Sequence, residues 1–282
     1  MKILRTRDEV KSFYKSLVDD KLSIGFVPTM GALHQGHLDL VSKAKESTDA
    51  VVVSIFVNPT QFNNKEDFDN YPKTLDNDLE LLNNIGVHGV FIPDNQEVYA
   101  NRPTLTLDFG PLERVLEGAF RPGHFNGVGI VVSKLLNIVK PHKAFFGQKD
   151  LQQVAVIKTL VRDLSFDVQI VVVPTVRDQD GLALSSRNLR LDSTNREKAL
   201  ILYKSLSFAK AELWKGRDWL EIRANVETEF SRLSDVNLEY FELVNAELME
   251  PMDILRDDIP QSICVAAFVG EVRLIDNISV NH

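Results

Sequence analysis

The chain of 282 residues has a single cysteine, Cys264. One thiol cannot form an intrachain disulfide, and within "SICVAAFV" it reads as a small apolar residue on a buried strand. No apolar run approaches the ~18 residues of a membrane span. The amphipathic start "MKILRTRDEVKSFYKSL" contains acids and lacks the apolar stretch of a signal peptide, so the expected location is the cytoplasm. Positive charge is also scarce: 32 Lys plus Arg stand against 40 Asp plus Glu, a net charge of -8. A nucleic-acid binder would show a basic stripe, so that class is disfavoured. There is no H-E-x-x-H, and six histidines with one distant cysteine make a zinc site hard to furnish. No internal repeat or low-complexity tract is evident.

What is present is the composition of an ordinary globular enzyme, 44% hydrophobic and 26% charged. The length suffices for one large or two modest domains with real cores. In the front half, strands are expected at "SIGFV" (23–27), "AVVVSIFV" (50–57), "GVFI" (89–92), "KAFFG" (143–147) and "DVQIVVV" (167–173). Helical patterns such as "GHLDLVSKAKEST" and "DLQQVAVIKTLVRDL" lie between them. Continuous Val/Ile/Phe strands separated by helices predict a parallel sheet covered on both faces. Right-handed crossovers then make an α/β, Rossmann-like, doubly wound sheet. After Pro174 two helical stretches are followed by "NLEYFELVN", "SICVAAFVG" and "VRLIDNISV", the order of a smaller C-terminal α+β domain with an antiparallel sheet. The expected division is 1–176 and 177–282.

The stretch "PTMGALHQGH" (28–37) joins the apolar run "LSIGFV" to a helix. A strand passing into a helix there puts backbone N–H groups and a positive dipole end at the carboxyl edge of the sheet, an anion site. Gly31 and Gly36 let a ligand approach the backbone. His34 and His37 face that anion and can carry charge near neutral pH. Two histidines in a glycine-containing loop are more often plain surface residues; their place beside the first expected strand favours a nucleotide site. "FFGQKDLQQ" (145–153) repeats this strand-to-helix geometry. There Gly147 permits the turn, Lys149 offers a cation for phosphate and Asp150 is placed to cap the helix. "LALSSRN" (182–188) supplies two hydroxyls and a guanidinium, suited to β- and γ-phosphates, or is an ordinary polar linker.

"HQGH" resembles the H-x-G-H signature of the nucleotidyl-transfer superfamily that includes class I aminoacyl-tRNA synthetases. The longer string resembles the pantoate–β-alanine ligase (pantothenate synthetase) family. "IFVNPTQF" (55–62), "RPGHFNGV" (121–128), "FFGQKDLQQ" and "LALSSRN" agree in order and spacing, across nearly the whole chain. Asn63 and Lys73 depart from the family's usual Gly and Arg. The resemblance implies ATP-dependent condensation of pantoate with β-alanine through a pantoyl-adenylate, releasing AMP and pyrophosphate. It implies ATP contacts at Met30, Gly31, Ala32, Leu33, His34, Gln35, Gly36 and His37. Further ATP contacts fall at Gly147, Gln148, Lys149, Asp150, Val176, Leu184, Ser185, Ser186 and Arg187. It places pantoate and β-alanine on Gln61, pantoate on Gln153, and suggests a homodimer.

On that reading His34, His37, Lys149 and Arg187 are the catalytic set. His34 and His37 serve the α- and β-phosphate oxygens, His37 being also a candidate proton donor. Mg²⁺ is expected chiefly on the phosphates, with no protein ligand assigned; Asp76 and Asp78 read as an exposed helix face. Pro28, Met30 and Phe56 are candidates for an apolar wall, and Arg121 and His124 for the rim. The smaller domain would close over the sheet edge. The rivals are a nucleotidylyltransferase that stops at a nucleotide-linked product and a non-catalytic nucleotide-binding module.

Overall fold

A computed structural model of the chain describes residues 1–280. Six strands form the larger sheet: β1 (Lys2–Leu4), β2 (Ile24–Thr29), β3 (Ala50–Ile55), β4 (Gly89–Phe91), β5 (Lys143–Gly147) and β6 (Gln169–Val173). They run parallel in the order β1-β4-β3-β2-β5-β6. Successive strand residues point to opposite faces. Ile24, Phe26 and Val52 join one core with residues of the helices Arg7–Asp19 and His124–Val139, such as Phe13 and Leu135. Val27, Val51 and Val53 join another with Leu40, Val41 and Leu82 of Gln35–Ser47 and Leu75–Ile85. The doubly wound, Rossmann-like expectation is met.

One strand was not foreseen. β1 is an edge strand of three residues, of which only Leu4 is buried, too short to display an alternating pattern. The histidine turn therefore follows the second strand, not the first, and that strand is central.

Chain order reverses direction between β2 and β5, the crevice where open α/β sheets bind ligands. The two strands pair only at Gly25 with Lys143 and Phe26 with Ala144. Beyond that point β2 stays with β3 as far as Thr29, and β5 stays with β6 as far as Gly147. Their carboxyl ends therefore part. Pro28 fits this divergence. Phe56 N–H donates to the Thr29 carbonyl, so Thr29 faces β3 and the neighbouring Pro28, which has no N–H, faces the gap.

The smaller sheet consists of β7 (Val236–Asn245), β8 (Gln261–Val269) and β9 (Val272–Ser279), antiparallel in that order. The helices Ser193–Trp214 and Trp219–Ser231 cover one face, with Leu206, Trp219 and Phe230 against Phe241, Ile263 and Val265. On the other face Tyr240, Val244, Cys264 and Ala266 pack against Leu112, Leu116, Phe125 and Val156 of the front half. Cys264 is buried there, and burial pushes its thiol well above the usual range.

Candidate active site

The crevice between β2 and β5 is lined from both sheets. At its β2 side the chain leaves the strand through Gly31 (φ 80°) and Ala32 (φ 49°), two consecutive left-handed residues. A Cβ on Gly31 would lie 3.1 Å from Asp78 Oδ2 and from Ile55 Cγ2. Asp78 is what holds this bend. Its carboxylate accepts from Ala32 N–H at 2.9 Å, Leu33 N–H at 2.8 Å and the Thr74 hydroxyl at 3.0 Å. The expectation of an exposed Asp78 is thus wrong, whereas Asp76 is exposed. Two N–H groups that the sequence alone leaves for an anion are already bonded to Asp78. Asp78→Asn turns an NH₂ group toward one of those donors. We expect about 1–3 kcal/mol lost in urea unfolding and a raised KM for ATP. Asp76→Asn should stay within about 0.5 kcal/mol of the parent.

His34 is the N-cap of Gln35–Ser47, and His37 sits one turn in, with the ring centroids 4.0 Å apart. Gly36 leaves room for the His34 ring, since a Cβ there would meet it at 3.0 Å and push it aside. The His37 Nδ1 accepts the His34 backbone N–H at 3.3 Å, which leaves the ring proton on Nε2. Burial, assisted by Lys149, lowers His34 to about 4. Burial, His34 and Lys149 lower His37 to about 3. In the free protein both rings are therefore neutral at pH 7, contrary to the expectation that they would be poised to charge. They present N–H donors rather than cations. The His34 Nδ1 and Thr175 Oγ1 are buried without a partner among the described residues, and both residues line the crevice.

On the β5 side Gly147 leads into the turn Gln148–Asp150 and the helix Leu151–Asp163. Gly147 has an ordinary backbone (φ −80°), and a Cβ there would meet nothing within 4 Å. Its part is to leave space rather than to permit the turn. Asp150 occupies the N-cap without a side-chain capping bond and lies 3.5 Å from Lys149 Nζ. Asn277 on β9 fastens this turn, donating to the carbonyls of Gln148 at 2.9 Å and Lys149 at 2.8 Å.

The Ser-Ser-Arg segment closes the crevice from above. The Ser186 hydroxyl donates to the Ala32 carbonyl at 2.9 Å, so it binds the loop to the histidine turn. Ser185 accepts from Arg187 N–H at 3.3 Å. Arg187 is held by Asp67, with Nη2 to Oδ2 at 2.8 Å, and Arg190 reaches the same carboxylate at 2.9 Å. Asp67 belongs to the short helix Lys65–Asp69 in the segment after Gln61. Nothing in the sequence singled out that pairing across 120 residues.

The inner end is apolar. Pro28, Met30 and Phe56 meet Val128, Val131 and Val132 of the helix His124–Val139 along the crevice wall. Gln61 is nearly buried here, and Gln153 lines the same space. Asn58, buried, accepts from Tyr99 OH at 2.9 Å and donates to Gln61 Oε1 at 3.1 Å, setting the amide's orientation. His124 Nδ1 lies 2.8 Å from the Gln61 carbonyl, so that nitrogen is the donor and Nε2 accepts from Arg121 at 3.3 Å. Burial, then Arg121, lowers His124 to about 3. Both rim candidates are thus interior lining residues. Asn63 Nδ2 donates to the Pro122 carbonyl, which gives a role to one departure from the family pattern.

Of the residues assigned from the sequence to ATP, pantoate or β-alanine, fourteen line the crevice together: Met30, His34, Gly36, His37, Gln61, Gly147, Lys149, Asp150, Gln153, Val176, Leu184, Ser185, Ser186 and Arg187. Gly31, Ala32 and Leu33 form the bend behind it. Gln35 is exposed and bonds Asp39 at 2.7 Å, and Gln148 offers its carbonyl to Asn277. Among the described residues no three His, Cys, Asp or Glu side chains gather to hold a metal. No described helix is long and apolar enough to cross a membrane.

A switch-point crevice with neutral imidazole donors and a lysine at its mouth, and an amide-studded apolar chamber beyond, defines a nucleotide-using enzyme that activates a small acid. Comparison narrows the class. The family model for pantoate-beta-alanine ligase matches residues 2–279. The pantothenate synthetase of Thermosipho africanus is 46% identical over 280 residues, 99% of this chain and 100% of that one. The crystal structure of pantothenate synthetase from Thermus thermophilus superposes with a TM-score of 0.92 at 39% identity, covering 100% of both chains. The pantoate-beta-alanine ligase of Francisella tularensis, complexed with beta-gamma ATP and beta-alanine, gives 0.83 at 38% identity, covering 99% of this chain and 98% of that one. The chain belongs to the pantoate–β-alanine ligase family.

Proposed function

We propose that the crevice between β2 and β5 is where this chain joins pantoate to β-alanine at the expense of ATP. The overall reaction forms pantothenate through a pantoyl-adenylate and releases AMP and pyrophosphate. Adenylation is needed because a carboxylate repels an amine's lone pair and its leaving group would be oxide. The pantoate carboxylate attacks the α-phosphorus, and the β-alanine amine then attacks the acyl carbon and expels AMP.

Negative charge grows on phosphate oxygens in the first step, so fixed donors aimed there give the acceleration. His34 and His37 supply them as neutral N–H groups. Polyphosphate charge brought beside these rings would also raise their proton affinity, which suits His37 to proton donation once ATP is bound. Lys149, Ser185 and Arg187 steady the departing pyrophosphate, and Ser186 positions that loop. Mg²⁺, if bound with ATP, would neutralise phosphate charge with little help from Asp78, whose two carboxylate oxygens are committed to the bend. Gln61 and Gln153 take the hydroxyls of pantoate, with its methyl groups against the valines. Gln61 also serves β-alanine.

The observation that carries this reading is the meeting of the histidine turn, Lys149 and the two glutamines in one crevice. AMP formation from ATP, pantoate and β-alanine, with each omitted in turn, tests it. A stable nucleotide conjugate in place of AMP would favour a nucleotidylyltransferase instead.

The same reading divides the chain into 1–176 and 177–282, makes it a cytoplasmic homodimer, and has the smaller unit close over the adenylate to keep water off it. Small-angle scattering with and without ATP and pantoate reads both points. A monomer mass contradicts the dimer, and an unchanged curve contradicts the closure.

A further inference from the structure

Arg121 is a cation in the crevice whose ion pair with Glu117 is long and shared. Glu117, its acidic neighbour, is already taken. Glu117 Oε1 accepts from Tyr240 OH at 2.8 Å and Arg273 Nη2 at 2.7 Å, and Oε2 accepts from Arg273 Nη1 at 2.8 Å. Arg121 reaches Oε2 only at 3.4 Å. Its other bonds are equally long, 3.3 Å to His124 Nε2 and 3.4 Å to the Gln61 carbonyl. A charge-assisted pair normally closes to about 2.7–2.9 Å. Arg187, by contrast, has such a partner in Asp67. The Arg121 side chain is only 18% exposed, and it lines the crevice beside the backbone of Gln61.

Three anionic groups enter this reaction. The triphosphate is served by the histidine turn and Lys149. The pantoate carboxylate must reach the same phosphorus. The remaining anion is the carboxylate of β-alanine, two methylenes from the attacking amine. Given the ligation reading above, we infer that Arg121 binds that carboxylate and so selects an ω-amino acid over a neutral amine. A guanidinium grips a carboxylate through two parallel N–H donors, and a carboxamide cannot match the charge. The grip leaves the amine free to turn toward the acyl carbon. His124 then acts as a positioning residue, since it joins Arg121 to the backbone of Gln61.

Arg121→Met and Arg121→Lys test the assignment. Glu117 keeps its bidentate bond to Arg273 in both. For Arg121→Met we expect the KM for β-alanine to rise by roughly 10–100-fold, the scale of a lost hydrogen bond to a charged group. Pantoate-dependent ATP–pyrophosphate exchange should stay near that of the parent. Use of β-alaninamide, the neutral analogue, should be unchanged, so the preference for the acid disappears; Arg121→Lys should restore part of it. Equal loss of exchange in a folded Arg121→Met, or retention of the acid preference, overturns the inference. Should Arg121→Met not fold, the acid-to-amide ratio of Arg121→Lys decides: an unaltered ratio overturns it. If the parent itself makes no AMP with β-alanine, the ligation reading fails instead.

Discussion

His37→Ala should lower turnover by on the order of 10²–10³ while the protein stays folded, the scale for removing one donor that acts in the transition state. The side chain fits that use and little else. Its Nδ1 is occupied by the His34 N–H, its Nε2–H is left for a ligand, and its ring is neutral at pH 7 in the free protein. A neutral donor adds no charge to be desolvated when ATP enters. It strengthens as charge accumulates on the phosphate oxygens, so kcat should fall more than the affinity for ATP. Single-turnover pyrophosphate release with ATP and pantoate alone isolates the step. A folded variant that releases pyrophosphate at the parent rate contradicts the assignment.

Glu117→Ala should be strongly destabilising, by about 3–5 kcal/mol, because it removes the carboxylate that holds the buried Arg273 bidentately and accepts the Tyr240 hydroxyl. Burial alone would raise the Glu117 carboxyl; the hydrogen bonds and charge of Arg273 outweigh it and bring the pKa down to about 2. Arg273 also pairs with Glu239 at 2.6 Å, which limits the loss. The bond ties the short helix Leu116–Phe120 to β9 of the smaller sheet. Urea unfolding of Glu117→Ala, Arg273→Ala and the double variant measures the coupling. A double variant less affected than the sum of the singles is expected. A Glu117→Ala protein as stable as the parent would show that the pair contributes nothing.

Sequence patterns revealed the sheet because β2, β3 and β5 are Val/Ile/Phe runs buried on both sides and β6 is a half-buried Val/Ile run at the edge, and the motifs fell at the carboxyl ends. β1 escaped because three residues cannot show a period. The phosphate corner was legible because each motif is local: His34 and His37 lie within one helical turn, and Gly147 to Asp150 are consecutive. What supports that corner was not. Asp78 reads as one of several acids on a helix, and only folding brings it under the Ala32 and Leu33 N–H groups. Asp67 with Arg187, Glu117 with Arg273, and Asn277 with Lys149 join positions more than a hundred residues apart. Charge type alone does not select such partners. The protonation of the histidines was misjudged for a related reason: their pKa values are set mainly by burial, and burial belongs to the fold.

The account turns on the triphosphate lying between the histidine turn and Lys149. A crystal structure with pantoate and a non-hydrolysable ATP analogue measures this directly. The account predicts α- and β-phosphate oxygens within hydrogen-bond reach of His34 and His37, the outer phosphates on Lys149 and the Ser185–Arg187 loop, and the pantoate carboxylate facing the α-phosphorus. A triphosphate seated away from that corner, with both imidazoles untouched, would contradict it.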